Sequence, residues 1–239
     1  MKIYAISDLH LSFNCDKPMD VFGGNWEGYT EKIMANWQKK VKDDDIVLIA
    51  GDISWAMKLD EVNKDLEWID ALPGKKIMIK GNHEYWWKSI SSVRAILPSS
   101  IMAIQNDAIK LGDCIFCGSR GWVVPEKNKT LSDEDLKIYN REIERMKLTL
   151  MAANTLRSSG EKIFVMIHFP PYNLDKDDSG FTQLFEQYGV DYVIFGHLHG
   201  YVKCDLFTER NGVKYYFTSC DHINNDPVLI LDEKTDKTN

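Results

Sequence analysis

Five short apolar runs in this chain each end on a side chain that can bind a metal ion. No other feature of the sequence constrains the fold as much. Lys2–Ser7 runs into Asp8-Leu9-His10, Asp45–Gly51 into Asp52, and Lys76–Gly81 into Asn82-His83. Ile163–Ile167 runs into His168, and Tyr192–Gly196 into His197-Leu198-His199. Short runs rich in isoleucine and valine predict buried strands. In α/β sheets, ligands bind just beyond the carboxyl ends of the strands. One sheet of such strands would gather two aspartates, an asparagine and five of the six histidines at a single rim. A lone histidine at a sheet edge is usually just a satisfied side chain, but five in register predict a metal site.

The spacing agrees. Asp8 and His10 lie two apart, as do His197 and His199, so each pair projects to one side if strand geometry persists. Gly51, Gly81 and Gly196 each precede a ligand candidate and permit a sharp exit from the strand. Mixed carboxylate, amide and imidazole donors suit borderline divalent ions, manganese first, with iron or zinc as alternatives. The donors are too many for one tetrahedral ion, so two ions bridged by a carboxylate are expected.

These residues resemble the calcineurin-like metallophosphoesterase superfamily, whose blocks run D-x-H, GD, GNH-[D/E], H and G-H-x-H. Asp8/His10, Gly51-Asp52, Gly81-Asn82-His83-Glu84, His168 and Gly196-His197-Leu198-His199 match them in order. The resemblance implies a four-layer αββα sandwich with a dinuclear site at the carboxyl rim of the strands. It implies that Asp8, His10, Asp52 and His199 hold one ion, and that Asp52, Asn82, His168 and His197 hold the other, with Asp52 bridging. It further implies in-line attack on phosphorus by a metal-bridging hydroxide, with His83 as general acid towards the leaving oxygen. Glu84 would orient His83 or cap a helix starting near Tyr85, and the cap is preferred.

Departures from the superfamily pattern bear on the substrate. The phosphatase extension GDxVDRG reads Gly51-Asp52-Ile53-Ser54-Trp55-Ala56-Met57 here, which disfavours a protein phosphatase. Arg120 is the one arginine expected near the rim, either holding an anion or in a structural ion pair. Trp55, Trp86, Trp87 and Trp122 fall beside the motif loops. They would either line the pocket, stacking on a base, sugar or aryl group, or pack beneath the loops. His222 lies either near 196–199 or in an exposed loop.

The 239 residues suffice for a large core and are expected to form one domain, with 233–239 as a frayed tail. A formal net charge of −7 disfavours an extended nucleic-acid surface or an anionic-membrane surface. Five scattered cysteines argue against a disulfide framework. Cys114 and Cys117 sit on a strand, three apart and therefore on opposite faces. A strand starting at Lys2 leaves no signal peptide to expect, and no apolar run reaches the roughly eighteen residues of a membrane span. A cytoplasmic location is therefore expected, with the oligomeric state left open.

Helices are expected over Thr30–Val41, Asp60–Leu72, Trp86–Leu97 and from Ser132 towards Arg157, with a short one over Phe181–Tyr188. Asp135 would close a capping box with Ser132. A hairpin turns at Gly112-Asp113, a second joins Tyr201–Phe207 to Val213–Thr218, and a last strand covers Val228–Leu231.

The expected activity is metal-dependent hydrolysis of a small phosphodiester, such as a nucleotide. A small-molecule phosphomonoesterase is the alternative. A DNA nuclease would bring a basic surface, and a lipid-precursor pyrophosphatase a lid where 122–160 reads as a packed helix. An inert scaffold of the same fold would have lost ligands that this chain keeps.

Overall fold

The computed structural model describes residues 1–127 and 129–236. Strands β1 (Lys2–Ile6), β2 (Ile46–Ile49), β3 (Lys75–Ile79) and β4 (Ile101–Ile104) run parallel in one sheet. Strand β11 (Val228–Asp232) pairs antiparallel with β1 at its edge. The second sheet has the order β5-β6-β7-β8-β10-β9. Its parallel centre is β6 (Cys114–Ser119), β7 (Lys162–Ile167), β8 (Tyr192–Phe195) and β10 (Val213–Phe217). The antiparallel edges are β5 (Ala108–Leu111) and β9 (Phe207–Arg210).

Period-two alternation explains how the sheets stack. On the first sheet, Ile3, Ala5, Ile46, Leu48, Ile77 and Ile79 face a central core. Tyr4, Ile6, Val47, Ile49 and Met78 face the opposite way. On the second sheet, Phe116, Phe164, Met166 and Ile194 meet that central core, while Ile115, Val165 and Val193 face outward. Both faces of each sheet are thus apolar, which is why the strands read as continuous hydrophobic runs. Cys114 and Cys117 fall in different cores, as their spacing requires, and all five cysteines are free.

Helices cover the outer faces. α1 (Tyr29–Lys40) buries Tyr29, Ile33 and Trp37 at four-residue spacing, and α2 (Asn63–Asp70) buries Leu66 and Ile69 beside it. α4 (Asp133–Leu156) and α5 (Gly180–Gln187) cover the second sheet. The architecture is therefore an αββα sandwich. Residues 233–236 form a last helical turn, and 237–239 of the expected frayed tail lie outside the described residues. Among the described residues no helix is long and apolar enough to cross a membrane.

Several local expectations change. The helix expected over Trp86–Leu97 shrinks to α3 (Ile90–Arg94), because Trp86 and Trp87 are buried in the core and Ser89 supplies a later N-cap. The strand expected from Tyr201 begins only at Phe207, and residue 201 stands fully in solvent. The capping box at α4 is one-sided. Ser132 Oγ accepts the Asp135 N–H, but the Asp135 carboxylate accepts from Ser132 Oγ and from Trp122 Nε1.

Candidate metal centre

The ligand candidates do not come from one sheet, as the sequence reading expects. Asp8, His10, Asp52, Asn82 and His83 leave the first sheet, while His168, His197 and His199 leave the second. The sheets meet at the rim through the end of β1. Ser7 N–H donates to the Thr218 carbonyl (2.8 Å), and Cys220 N–H donates to the Ser7 carbonyl (3.0 Å). The sandwich interface therefore opens directly onto the site.

Two clusters face each other across that opening. Asp8, His10 and His199 form one, and Asp52, His168 and His197 the other, with the ligand atoms of each within 4.8 Å of one another. In the first, His10 Nε2 lies 3.3 Å from His199 Nε2, which is 3.5 Å from Asp8 Oδ1. In the second, His168 Nε2 lies 2.8 Å from Asn82 Oδ1, 3.3 Å from Asp52 Oδ2 and 3.3 Å from His197 Nδ1. Asp52 Oδ2 also lies 3.8 Å from His10 Nε2, so it stands between the clusters.

The backbone is bent to achieve this. Asp8, His10, Asp52 and His197 all have positive φ, between 43° and 75°, a region that non-glycine residues enter rarely and at a cost. Of the three glycines, only Gly51 uses a positive φ. Gly81 and Gly196 are needed for room instead: a Cβ at Gly81 would collide with Asp52, and one at Gly196 with Asp8.

Hydrogen bonds behind the ligand candidates orient them, the arrangement expected of outer-shell partners in a metal site. The Ala50 carbonyl accepts from His168 Nδ1 (3.0 Å), which turns Nε2 inward. Asp221 accepts from His199 Nδ1 (3.0 Å) and from Gly200 N–H (3.0 Å). Ser219 Oγ and the His197 N–H donate to Asp8. Asp221 and Ser219 escaped the sequence reading, although Asp221 adjoins His222. His222 itself is largely buried against Phe217 (4.9 Å) next to this segment, not in an exposed loop.

Glu84 corrects the capping expectation. It is buried, and its carboxylate accepts the N–H groups of Asp52 (3.1 Å), Ile53 (2.5 Å), Ser54 (3.3 Å) and Gly81 (2.5 Å). It thus fastens the Asp52 loop to the Asn82 loop from behind. Burial and the Asp52 charge push its pKa up to about 7, against the pull of those donors.

The electrostatics of the clusters suit a cation. Burial pulls His10 down to about 4, and burial together with His168 does the same to His197. His168 rises to about 9 despite burial because of Asp52, and His199 to about 10 despite burial because of Asp221 and Asp8. Asp8 and Asp52 are held below the usual carboxylate range, because these imidazoles outweigh the cost of burial. His10 Nδ1 is buried without a partner among the described residues. Buried carboxylates converging on imidazole nitrogens form a donor set for borderline divalent ions.

His83 stands at the mouth. Its Nε2 is 3.9 Å from Asp52 Oδ2, its N–H donates to Asp52 Oδ1 (2.9 Å), and its ring lies 4.4 Å from Trp55. A cleft of about 620 Å³ opens there, walled by Trp55, Trp26, Met19, Phe22 and Tyr201. Of the tryptophans singled out in the sequence, only Trp55 lines this cleft. Trp86 and Trp87 are core residues. Trp122 packs on Phe169 (4.9 Å), away from the cleft. Trp26, carried by a 3₁₀ turn (Gly24–Trp26), takes the place that sequence proximity suggested for them. Arg120 is also absent from the cleft. Its carbonyl accepts the His168 N–H (3.0 Å), and its side chain turns towards α4.

The profile of the calcineurin-like phosphoesterase family matches residues 1–201. An uncharacterized Methanocaldococcus jannaschii protein is 32% identical over 88 residues, which span 35% of this chain and 47% of that protein. A probable cyclic nucleotide phosphodiesterase of Coxiella burnetii is 22% identical over 210 residues, 83% of this chain and 76% of its own. Among solved structures, the phosphopantetheinyl hydrolase of Mycobacterium tuberculosis shares the fold with a TM-score of 0.58 at 15% identity, covering 98% of this chain and 97% of its own. A Thermus thermophilus structure does so with 0.59 at 10% identity, covering 95% and 96%. The chain belongs to the calcineurin-like phosphoesterase family and is a metal-dependent phosphohydrolase.

Proposed function

We propose that this enzyme hydrolyses a small phosphodiester carrying a planar group, of the nucleotide class. Asp8, His10, Asp52 and His199 would hold one divalent ion, and Asp52, Asn82, His168 and His197 the second, with manganese the first choice of metal. When bound, the two ions polarise the phosphoryl group and make water nucleophilic at neutral pH. Asp52, with Oδ2 near both His10 (3.8 Å) and His168 (3.3 Å), would be the ligand common to both ions. His83 faces the open cleft and donates the proton to the departing oxygen. Trp55, which stacks on His10 (4.9 Å), and the largely buried Trp26 give the leaving group an apolar wall that keeps water from it.

The observation that carries this reading is the chemistry of the cleft wall. It combines aromatic side chains with histidines and Asp221; no arginine lines it among the described residues, and Lys17 Nζ sits beside it over the Trp55 ring (4.8 Å). A phosphodiester brings one negative charge and a phosphomonoester about two near neutral pH, so a mainly aromatic wall with no guanidinium fork favours the diester. The resemblance to a probable cyclic nucleotide phosphodiesterase points the same way.

The test is hydrolysis of bis-p-nitrophenyl phosphate and p-nitrophenyl phosphate by manganese-loaded protein, with adenosine 3′,5′-cyclic monophosphate as a nucleotide arm. Diester preference is expected. His83→Ala should lower kcat by about 10²–10⁴-fold with metal content unchanged, and a chelator should abolish activity. A monoester preference would overturn the diester assignment.

A further inference from the structure

A second concave site lies on the far side of the His168 strand. A cavity of about 210 Å³ is enclosed by the ends of β3, β4 and β6 and the flank of α4. Lys80, Lys88, Arg120, Arg141 and Arg145 line it, against a single carboxylate, Glu142. None of its lining residues is shared with the aromatic cleft. In a chain of formal net charge −7, this is a local surplus of four positive charges.

Glu142 does not account for the arrangement. Its Oε1 is shared by Arg145 (2.7 Å), Arg120 (3.4 Å) and Arg141 (3.6 Å), while its Oε2 is buried without a partner among the described residues. One carboxylate cannot neutralise three guanidinium groups, and crowded like charges are unfavourable without a counter-ion. The Arg120 guanidinium is fixed over the Trp122 ring (4.6 Å), with its Nε buried and its side chain still 22% exposed at the cavity. Ser119 and Arg120 both line the cavity. Planar guanidinium forks and ammonium groups around a small cavity match a tetrahedral oxyanion.

We propose that this cavity is a binding site for a phosphate-class oxyanion, separate from the metal clusters. The terminal NH groups of Arg120 contact it from the sheet, Arg141 and Arg145 from α4, and Lys88 closes the rim beside Lys80, whose Nζ also donates to the Trp87 carbonyl (2.9 Å). The ligand is free inorganic phosphate or the phosphate group of a nucleotide.

Equilibrium dialysis of radiolabelled inorganic phosphate against the metal-loaded protein tests this by counting bound equivalents. Lys88→Gln/Arg141→Gln alters two exposed side chains at the cavity. Removing these two charged donors is expected to weaken one equivalent at least about tenfold. Lys137→Gln/Lys147→Gln removes the same charge from exposed positions of α4 that do not line the cavity, and should bind as the wild type does. Arg120→Gln, its fold checked by melting temperature, should lose the same equivalent. Adenosine 5′-monophosphate as competitor separates the two sources: it displaces that equivalent if nucleotide phosphates enter and leaves it if only free phosphate fits. Unchanged binding in Lys88→Gln/Arg141→Gln, or equal weakening in both double variants, would overturn the site. The readout is stoichiometry, so it stands apart from whether diesters are hydrolysed.

Discussion

Glu84 shows what a single residue contributes here. A carboxylate accepting four backbone N–H groups inside the protein fixes the separation of two ligand loops. Replacing one oxygen by an NH₂ turns an acceptor into a donor aimed at other donors. Glu84→Gln should therefore cost about 2–3 kcal/mol, since buried donors lose a charged acceptor, and a urea titration of metal-loaded protein measures it. The tryptophans divide at the same scale. Trp86→Ala should cost about 3–5 kcal/mol through a core cavity, with little change in KM for whatever protein remains folded. Trp55→Ala should raise KM for an aryl diester and leave the urea midpoint nearly unchanged. Equal effects of the two substitutions would refute the division into core and cleft.

Among the elements, the strands were the legible part. Each of the five apolar runs became a strand, because burial on both faces leaves an unbroken apolar signature, while the exposed stretch expected to start at Tyr201 did not. The helix expected over Trp86–Leu97 shortened to α3 because its first residues fill the core, which local propensity does not record. Strand β3 also carries a buried lysine, Lys76, whose Nζ donates to the carbonyls of Asp70 and Leu72 and to Ser100 Oγ. Burial lowers its pKa from the usual 10.5 to about 8. The unfolded chain then binds more protons between pH 8 and 10.5, so this lysine makes stability rise with pH across that window. Urea midpoints at pH 7.5 and pH 10 should show wild type gaining on Lys76→Met, and parallel shifts would exclude the effect.

At the scale of the whole molecule, the metal centre is a seam. Each cluster draws ligand candidates from both sheets, so ions bound there would fasten the two halves of the sandwich together. A ligand that binds only the folded state adds about 2.7 kcal/mol at a hundred times its Kd. Manganese should therefore raise the melting temperature, and a chelator should reverse the gain. His168 and His199 must lose their protons to bind metal, and their pKa values of about 9 and about 10 place that competition above neutrality. The manganese-induced shift should thus be larger at pH 8 than at pH 6.5, with protons released on binding. A shift independent of pH would mean that these two imidazoles do not take part.

The sequence by itself determined the strands and the order in which ligand candidates follow them. Both are local properties: apolar periodicity, and a polar side chain at the point where a strand ends. Only the tertiary structure decided that two sheets share one rim and that Asp221, Ser219 and Glu84 support the clusters there. It also put Trp26 at the cleft and turned Arg120 away from it. These outcomes depend on contacts between segments up to about two hundred residues apart, such as Ser219 with Asp8. Packing two twisted sheets face to face sets those contacts, and no window along the chain contains them.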